Sequence, residues 1–327
     1  MEIDERVGQF RRVYAALREQ LDRVVVGHDT VKDQMLATLL AGGHALVEGV
    51  PGLGKTLLVR TLAGCIRVEF RRIQFTPDLM PADIIGTNVI EEDERGNRTF
   101  RFERGPVFGN IILADEINRA TPKTQSAMLE AMQEESVTVA GTRHRLEPPF
   151  MVEATQNPIE MEGTYPLPEA QLDRFLLKIF VQGSSVAEIV EIVDRTTARQ
   201  TPTAEAVATG PEVMSMRALV REVPAASHVK EYIARVVLAT HPTSEEAPEV
   251  VRRYVRYGAS PRGAQAITLA AKVRALVEGR NNVSFEDVDS SVAPALRHRI
   301  LFNFEGEAEG LSADAAIEEV LRKVKKP

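Results

Sequence analysis

The chain contains no tryptophan and one cysteine, and aromatics make up only 5% of its 327 residues. Stacking platforms for single-stranded nucleic acid need aromatics set in a basic groove. No basic, aromatic-rich stripe is present here, and the formal net charge is −7. This balance disfavours a dedicated nucleic-acid binder, although it leaves room for a local basic patch. The lone Cys65 cannot close an intrachain disulfide and sits among apolar residues, so it reads as a small buried hydrophobe in a reducing compartment. Six scattered histidines and one cysteine form no metal-ligand spacing. Long apolar runs are also missing: the window 35–47 is broken by Gly42, Gly43 and His44 and is too short to span a bilayer. The N-terminus is mixed in charge and leads into an amphipathic pattern, unlike a secretory signal. The expectation is a soluble cytoplasmic protein without membrane insertion. Hydrophobic content of 44% and charged content of 27% are ordinary for a globular chain. The length suits one larger and one smaller domain.

Residues 49–56 read Gly-Val-Pro-Gly-Leu-Gly-Lys-Thr, between the apolar runs Ala45-Leu46-Val47 and Leu57-Leu58-Val59. This G-x-x-x-x-G-K-T between a buried strand and a helix start is the pattern of a phosphate-binding loop. Gly49, Gly52 and Gly54 let backbone N–H groups converge on polyphosphate at the positive end of a helix, with Val50, Pro51, Leu53 and Leu57 completing the cradle. Lys55 adds a point charge for the β- and γ-phosphates, and Thr56 offers a hydroxyl to Mg²⁺.

Upstream, residues 8–23 have helical spacing, and Asp29 is the expected N-cap of a second helix ending at Leu40. Val26 and Gly27 form an apolar turn that is equally readable as a rest for a purine ring or as a packed connector. Downstream, residues 87–102 read as an inserted hairpin with an acidic tip, and 137–146 as a second hairpin. The strand 110–116 delivers Asp115 and Glu116 at its C-terminal end, where open α/β sheets bind ligands. The first carboxylate suits a Mg²⁺ shell and the second an attacking water. The strand 150–155 ends near Asn157, which is either a water-orienting amide or a turn former before Pro158. Arg174 precedes a fifth strand. Beyond residues 181–187 strand-like runs give way to helical periodicity, which predicts domains at 1–183 and 184–327, the second all-helical. There Ser260-Pro261-Arg262 opens a helix with a cation in its first turn, against the helix dipole.

The runs Leu-Ala-Asp-Glu-Ile-Asn-Arg-Ala (113–120), Gln-Ser-Ala-Met-Leu-Glu-Ala-Met-Gln-Glu (125–134), Ala-Thr-Gln-Asn-Pro (154–158) and Leu-Pro-Glu-Ala-Gln-Leu-Asp-Arg-Phe (167–175) resemble the MoxR family of AAA+ ATPases. The resemblance is dense from about residue 24 to 180 and looser beyond. It implies a P-loop core with a parallel five-stranded sheet flanked by helices, inserted hairpins and a small helical lid, assembled as a ring, commonly a hexamer. It also implies ATP/ADP with Mg²⁺ and a chaperone-like role, often beside a partner bearing a von Willebrand factor A domain. Carried across, Asp115 is the Walker B carboxylate, Glu116 activates water and Asn157 is sensor 1. Arg174 is the arginine finger acting in trans, and Arg262 is sensor 2, reaching the γ-phosphate from its own lid. Val26 and Gly27 fall where such proteins contact adenine. Arg119 is left without a role. A nucleic-acid motor or loader, a small-molecule kinase and a chelatase-type motor subunit are the alternatives, and no residue identifies the client.

Overall fold

The computed structural model describes residues 3–50, 52–92, 98–157 and 163–327. Pro51, the tip of the first hairpin (93–97) and Pro158 lie outside them. Helix α1 (Ile3–Val24) buries Val7, Phe10, Tyr14, Leu17 and Leu21, one face at helical spacing. Helix α2 (Asp29–Ala41) departs from expectation at its start. His28, in the left-handed region with φ 57°, precedes the helix without a side-chain cap. Asp29 is the first helical residue and pairs with Arg18 of α1 at 2.8 Å. Arg18 also bonds Asp22 and Asp33, and buried Lys32 reaches Asp22 at 2.6 Å, so this charge cluster draws the Asp29 carboxylate across to α1.

The core continues as β1 (Ala45–Glu48), α3 (Lys55–Cys65), β2 (Phe70–Gln74) and α4 (Pro81–Ile85), then the hairpin β3 (Gly86–Glu92) and β4 (Arg98–Arg104). It runs on through β5 (Ile111–Asp115), α5 (Pro122–Glu134), the hairpin β6 (Ser136–Val139) and β7 (Thr142–Arg145), β8 (Met151–Gln156), α6 (Glu169–Leu172) and β9 (Leu177–Phe180). Five strands form a parallel sheet ordered β2-β5-β8-β1-β9. The register sets Glu48 beside Gln156 and Phe180, and Gln74 beside Asp115, so the strand C-termini share one edge. The central strands are buried on both faces, as a parallel sheet requires. The two hairpins meet through Phe102 and His144, stacked with ring centroids 4.0 Å apart.

The C-terminal region comprises α7 (Val186–Thr197), α8 (Gly210–Glu222), α9 (Ser227–Ala239), α10 (Glu249–Tyr254), β10 (Val255–Tyr257), α11 (Pro261–Val277), α12 (Phe285–Leu296), β11 (Leu301–Phe302), α13 (Phe304–Ala308) and α14 (Ala313–Lys323). It is not all-helical: β10 and β11 pair antiparallel. Two or three residues are too few for a period-two signal. One continuous apolar cluster joins α1, α2 and α3 to α8, α9, α11 and α12, so these C-terminal helices share a core with the sheet. A second cluster fills the other face, between the sheet and α5.

His44, entering β1, ties these layers together. Its Nδ1 accepts from Val152 N–H and its Nε2 lies 3.0 Å from the Met132 carbonyl, which assigns the proton to Nε2. Burial lowers its pKa from 6.5 to about 4. The unfolded chain therefore binds this proton first as pH falls. The contribution is intact above 6.5 and is lost down to 4, a loss of about 3 kcal/mol. NMR of the ring nitrogens at pH 5 should show a neutral Nε2–H imidazole; a protonated ring there would refute the assignment.

Candidate nucleotide-binding and hydrolysis site

The phosphate loop leaves the C-terminal end of β1 and enters α3. Gly52 and Gly54 have φ of 86° and 77°, and a Cβ at either would meet nothing within 4 Å, so backbone conformation rather than crowding calls for glycine there. At Gly49 the reason is space: a Cβ would lie 2.8 Å from the Val181 carbonyl. Val50 and Leu57 are exposed, and Leu53 lines a small cavity with Gly54, Lys55 and His28. Lys55 Nζ donates to the Gly49 carbonyl at 2.5 Å across the loop. Burial lowers its pKa, opposed by Asp115, Glu116 and Glu48. A cation partly stripped of water and facing carboxylates gains from an incoming polyphosphate.

Beside the loop, β5 ends on Asp115, and Glu116 turns into the left-handed region with φ 57°. Thr155 of β8 organises the pair: its hydroxyl donates to Asp115 Oδ1 at 2.6 Å and accepts the Glu116 N–H at 2.8 Å. Asp115 Oδ2 is held by Arg72 at 2.7 Å. Glu116 Oε2 accepts from Gln74 Nε2 at 2.7 Å and from Arg119 Nη1 at 2.9 Å. Asn157 is buried and follows β8, whose last residue Gln156 pairs with Glu48 immediately before the loop. The Thr56 hydroxyl and Asp115 carboxylate are hard oxygen donors of the type that hold Mg²⁺ through water and phosphate. No cluster of three His, Cys, Asp or Glu forms a separate metal site among the described residues. Val26 is buried, and Glu188 of α7 lies directly over Gly27.

Arg72, Gln74 and Thr155 are absent from the sequence reading. The faint signal for Gln74 and Thr155 is a polar residue at or next to the last position of a strand, whereas Arg72 stands two positions before the end of β2. Register between distant strands then aligns them, as with Gln74 and Asp115.

The two arginines stand elsewhere. Leu176 N–H donates to the His44 carbonyl, so β9 begins beside the start of β1, and Asp173 and Arg174 precede it at the N-terminal edge of the sheet. The phosphate loop lies at the opposite edge, about 13 Å away along four residues of strand. Arg174 Nη1 donates to the Leu129 carbonyl at 2.7 Å, and the side chain lines an open cleft of about 530 Å³ with Arg143, Glu130 and Glu134. Arg262 lies at the same edge, 3.9 Å from Asp173. In this structure it faces Asp173 at that edge and not the phosphate loop of its own chain. The cause is packing: α11 shares the common core with α1, α2 and α12, and its N-cap Ser260 donates to Asp173.

The description "ATPase family associated with various cellular activities (AAA)" matches residues 44–177, and "AAA lid domain" matches 248–320. Chaperone MoxR1 of Mycobacterium tuberculosis is 42% identical, over 94% of this chain and 81% of its own length. Protein MoxR of Paracoccus denitrificans is 31% identical over 92% of each chain. A crystal structure from Cytophaga hutchinsonii, described provisionally as an ATPase, superposes with TM-score 0.92 at 41% identity, covering 99% of this chain and 97% of its own. With the phosphate loop, the carboxylate pair at the strand ends and the β2-β5-β8-β1-β9 sheet, these matches show that the chain belongs to the MoxR family of AAA+ ATPases.

Proposed function

We propose that the protein hydrolyses ATP in a ring, commonly a hexamer in this family, and that each site is completed by the neighbouring copy. The observation that carries this is the separation of the two halves: Lys55, Asp115 and Glu116 lie at one edge of the sheet, and Arg174 and Arg262 at the other. Both arginines then act in trans, Arg174 as the finger and Arg262 beside it. Within one copy the loop N–H groups and Lys55 hold the phosphates, Asn157 contacts the γ-phosphate or its water, and Val26 and Gly27 flank the base. Thr56 and Asp115 would hold Mg²⁺, which when bound neutralises charge across the β- and γ-phosphates. Glu116 takes the proton of the attacking water once it leaves Gln74 and Arg119. Arginines arriving from the next copy stabilise charge on the transferring group.

Nucleotide state would then alter the joint between copies, and the paired hairpins would pass that change to a client. The relative named Chaperone MoxR1 supports a chaperone-like output. We take this to be remodelling or maturation of a partner complex, together with a von Willebrand factor A domain protein. Glu116→Gln tests the hydrolytic assignment: turnover is expected to fall about 10²–10⁴-fold while ATP stays bound. Unchanged hydrolysis would remove Glu116 from the mechanism. The same trapped variant, used in a pull-down, should retain the partner.

A further inference from the structure

We infer that Asp173 is a positioning residue that ties the helical region to the arginine loop, so that Arg174 and Arg262 meet the neighbouring copy as one rigid jaw. The inference rests on the trans reading above and adds the device that sets its geometry.

Asp173 directly precedes Arg174. Its carboxylate accepts the Ser260 hydroxyl at 2.9 and 3.0 Å, and its Oδ1 accepts Arg299 Nε at 2.7 Å. Arg299, 7% exposed, wraps the same turn through the carbonyls of Asp173 (3.0 Å), Phe175 (2.7 Å) and Leu176 (3.3 Å). Adjacent His298 lies 3.0 Å from the Phe175 carbonyl through Nε2. Ser260 works in two directions: it donates to Asp173 and accepts the Arg262 N–H at 3.1 Å as cap of α11. One carboxylate therefore fixes the backbone that carries each arginine. Charge-assisted bonds of this kind, largely shielded from water, hold geometry tightly. Displacing a reacting or stabilising group by about 1 Å can cost 10²-fold in rate, so the clamp acts on catalysis without touching nucleotide.

Asp173→Asn keeps the shape and removes the charge. The expected result is a kcat about 10- to 100-fold lower with KM for ATP little changed. Mixing experiments then separate positioning from folding. An equimolar mixture of Asp173→Asn with Lys55→Ala should regain about a quarter of wild-type activity, because one in four randomly formed joints pairs an intact loop with an intact jaw. Asp173→Asn mixed with Arg174→Ala should regain none, since both damage the same half. Recovery in that second mixture, or no recovery in the first, overturns the inference. A mixture of Lys55→Ala with Arg174→Ala is the control: its failure overturns the trans reading and this inference with it, whereas its success beside a silent Asp173→Asn and Lys55→Ala mixture rejects Asp173 alone. Should Asp173→Asn fold poorly, Ser260→Ala breaks the clamp from the other side and is judged by the same mixtures.

Discussion

Equimolar Lys55→Ala and Arg174→Ala chains, each inert alone, are expected to hydrolyse ATP together at about a quarter of the wild-type rate. Lys55→Ala removes the charge proposed to bridge the loop to the β- and γ-phosphates. Arg174→Ala leaves that loop untouched and lies at the other edge of the sheet. A trans arginine can supply about 10³–10⁵ in rate, so Arg174→Ala should bind ATP normally and turn over at or below the thousandfold level. Only a joint between two chains can restore both features. Steady-state ATPase assays across mixing ratios check this, with a maximum at equal proportions. Full activity in Arg174→Ala alone would remove Arg174 as the finger, and a mixture that stays silent while both variants assemble would place the site within one chain. The rate per chain of the native protein should also rise with protein concentration until rings are filled.

The parts of this site that were readable from sequence are those whose roles are set locally. Eight consecutive residues define the phosphate loop, and Asp115-Glu116 announces itself as two acids ending an apolar strand. The placement of Arg262 is different in kind. It depends on Ser260 meeting Asp173, 87 positions away, and on α11 sharing a core with α1 and α2. Helical periodicity shows that such a helix exists but not which neighbour it packs against. Thr155, Gln74 and Arg72 escaped for a related reason, since parallel register brings them to Asp115 and Glu116 from strands about 40 positions distant. The Asp29 cap failed because a preference of roughly 1 kcal/mol yields to an available cation on another helix.

Replacing Glu153 with leucine should make the protein more stable at pH 8, by about 3–5 kcal/mol. Glu153 stands in β8 between Ala45 and Leu113 on the neighbouring strands, fully buried, and neither carboxyl oxygen has a hydrogen-bond partner. It faces a cavity of about 10 Å³ under Lys55 and Leu58, at the lower limit for one water. Burial raises its pKa from 4.5 to about 8. The unfolded chain therefore gives up this proton first as pH rises. The contribution is complete below 4.5 and is lost as pH climbs through 8. His44 works in the opposite sense, losing stability as pH falls from 6.5 to 4. Between these values the two slopes oppose one another, and Glu153→Leu should remove the loss toward pH 8 while leaving the acid-side loss to which His44 contributes. Urea unfolding at pH 5.5 and 8 separates them: the wild type weakens toward pH 8 and the variant does not. Equal pH slopes in both proteins would show that the carboxyl is solvated after all. Since Glu153 lies on the same face of β8 as Thr155, which binds Asp115, the strand that aligns Asp115 and Glu116 also carries a buried acid that costs stability. A more stable Glu153→Leu variant with altered turnover would tie that cost to the flexibility of the site, and one with unchanged turnover would confine it to the fold.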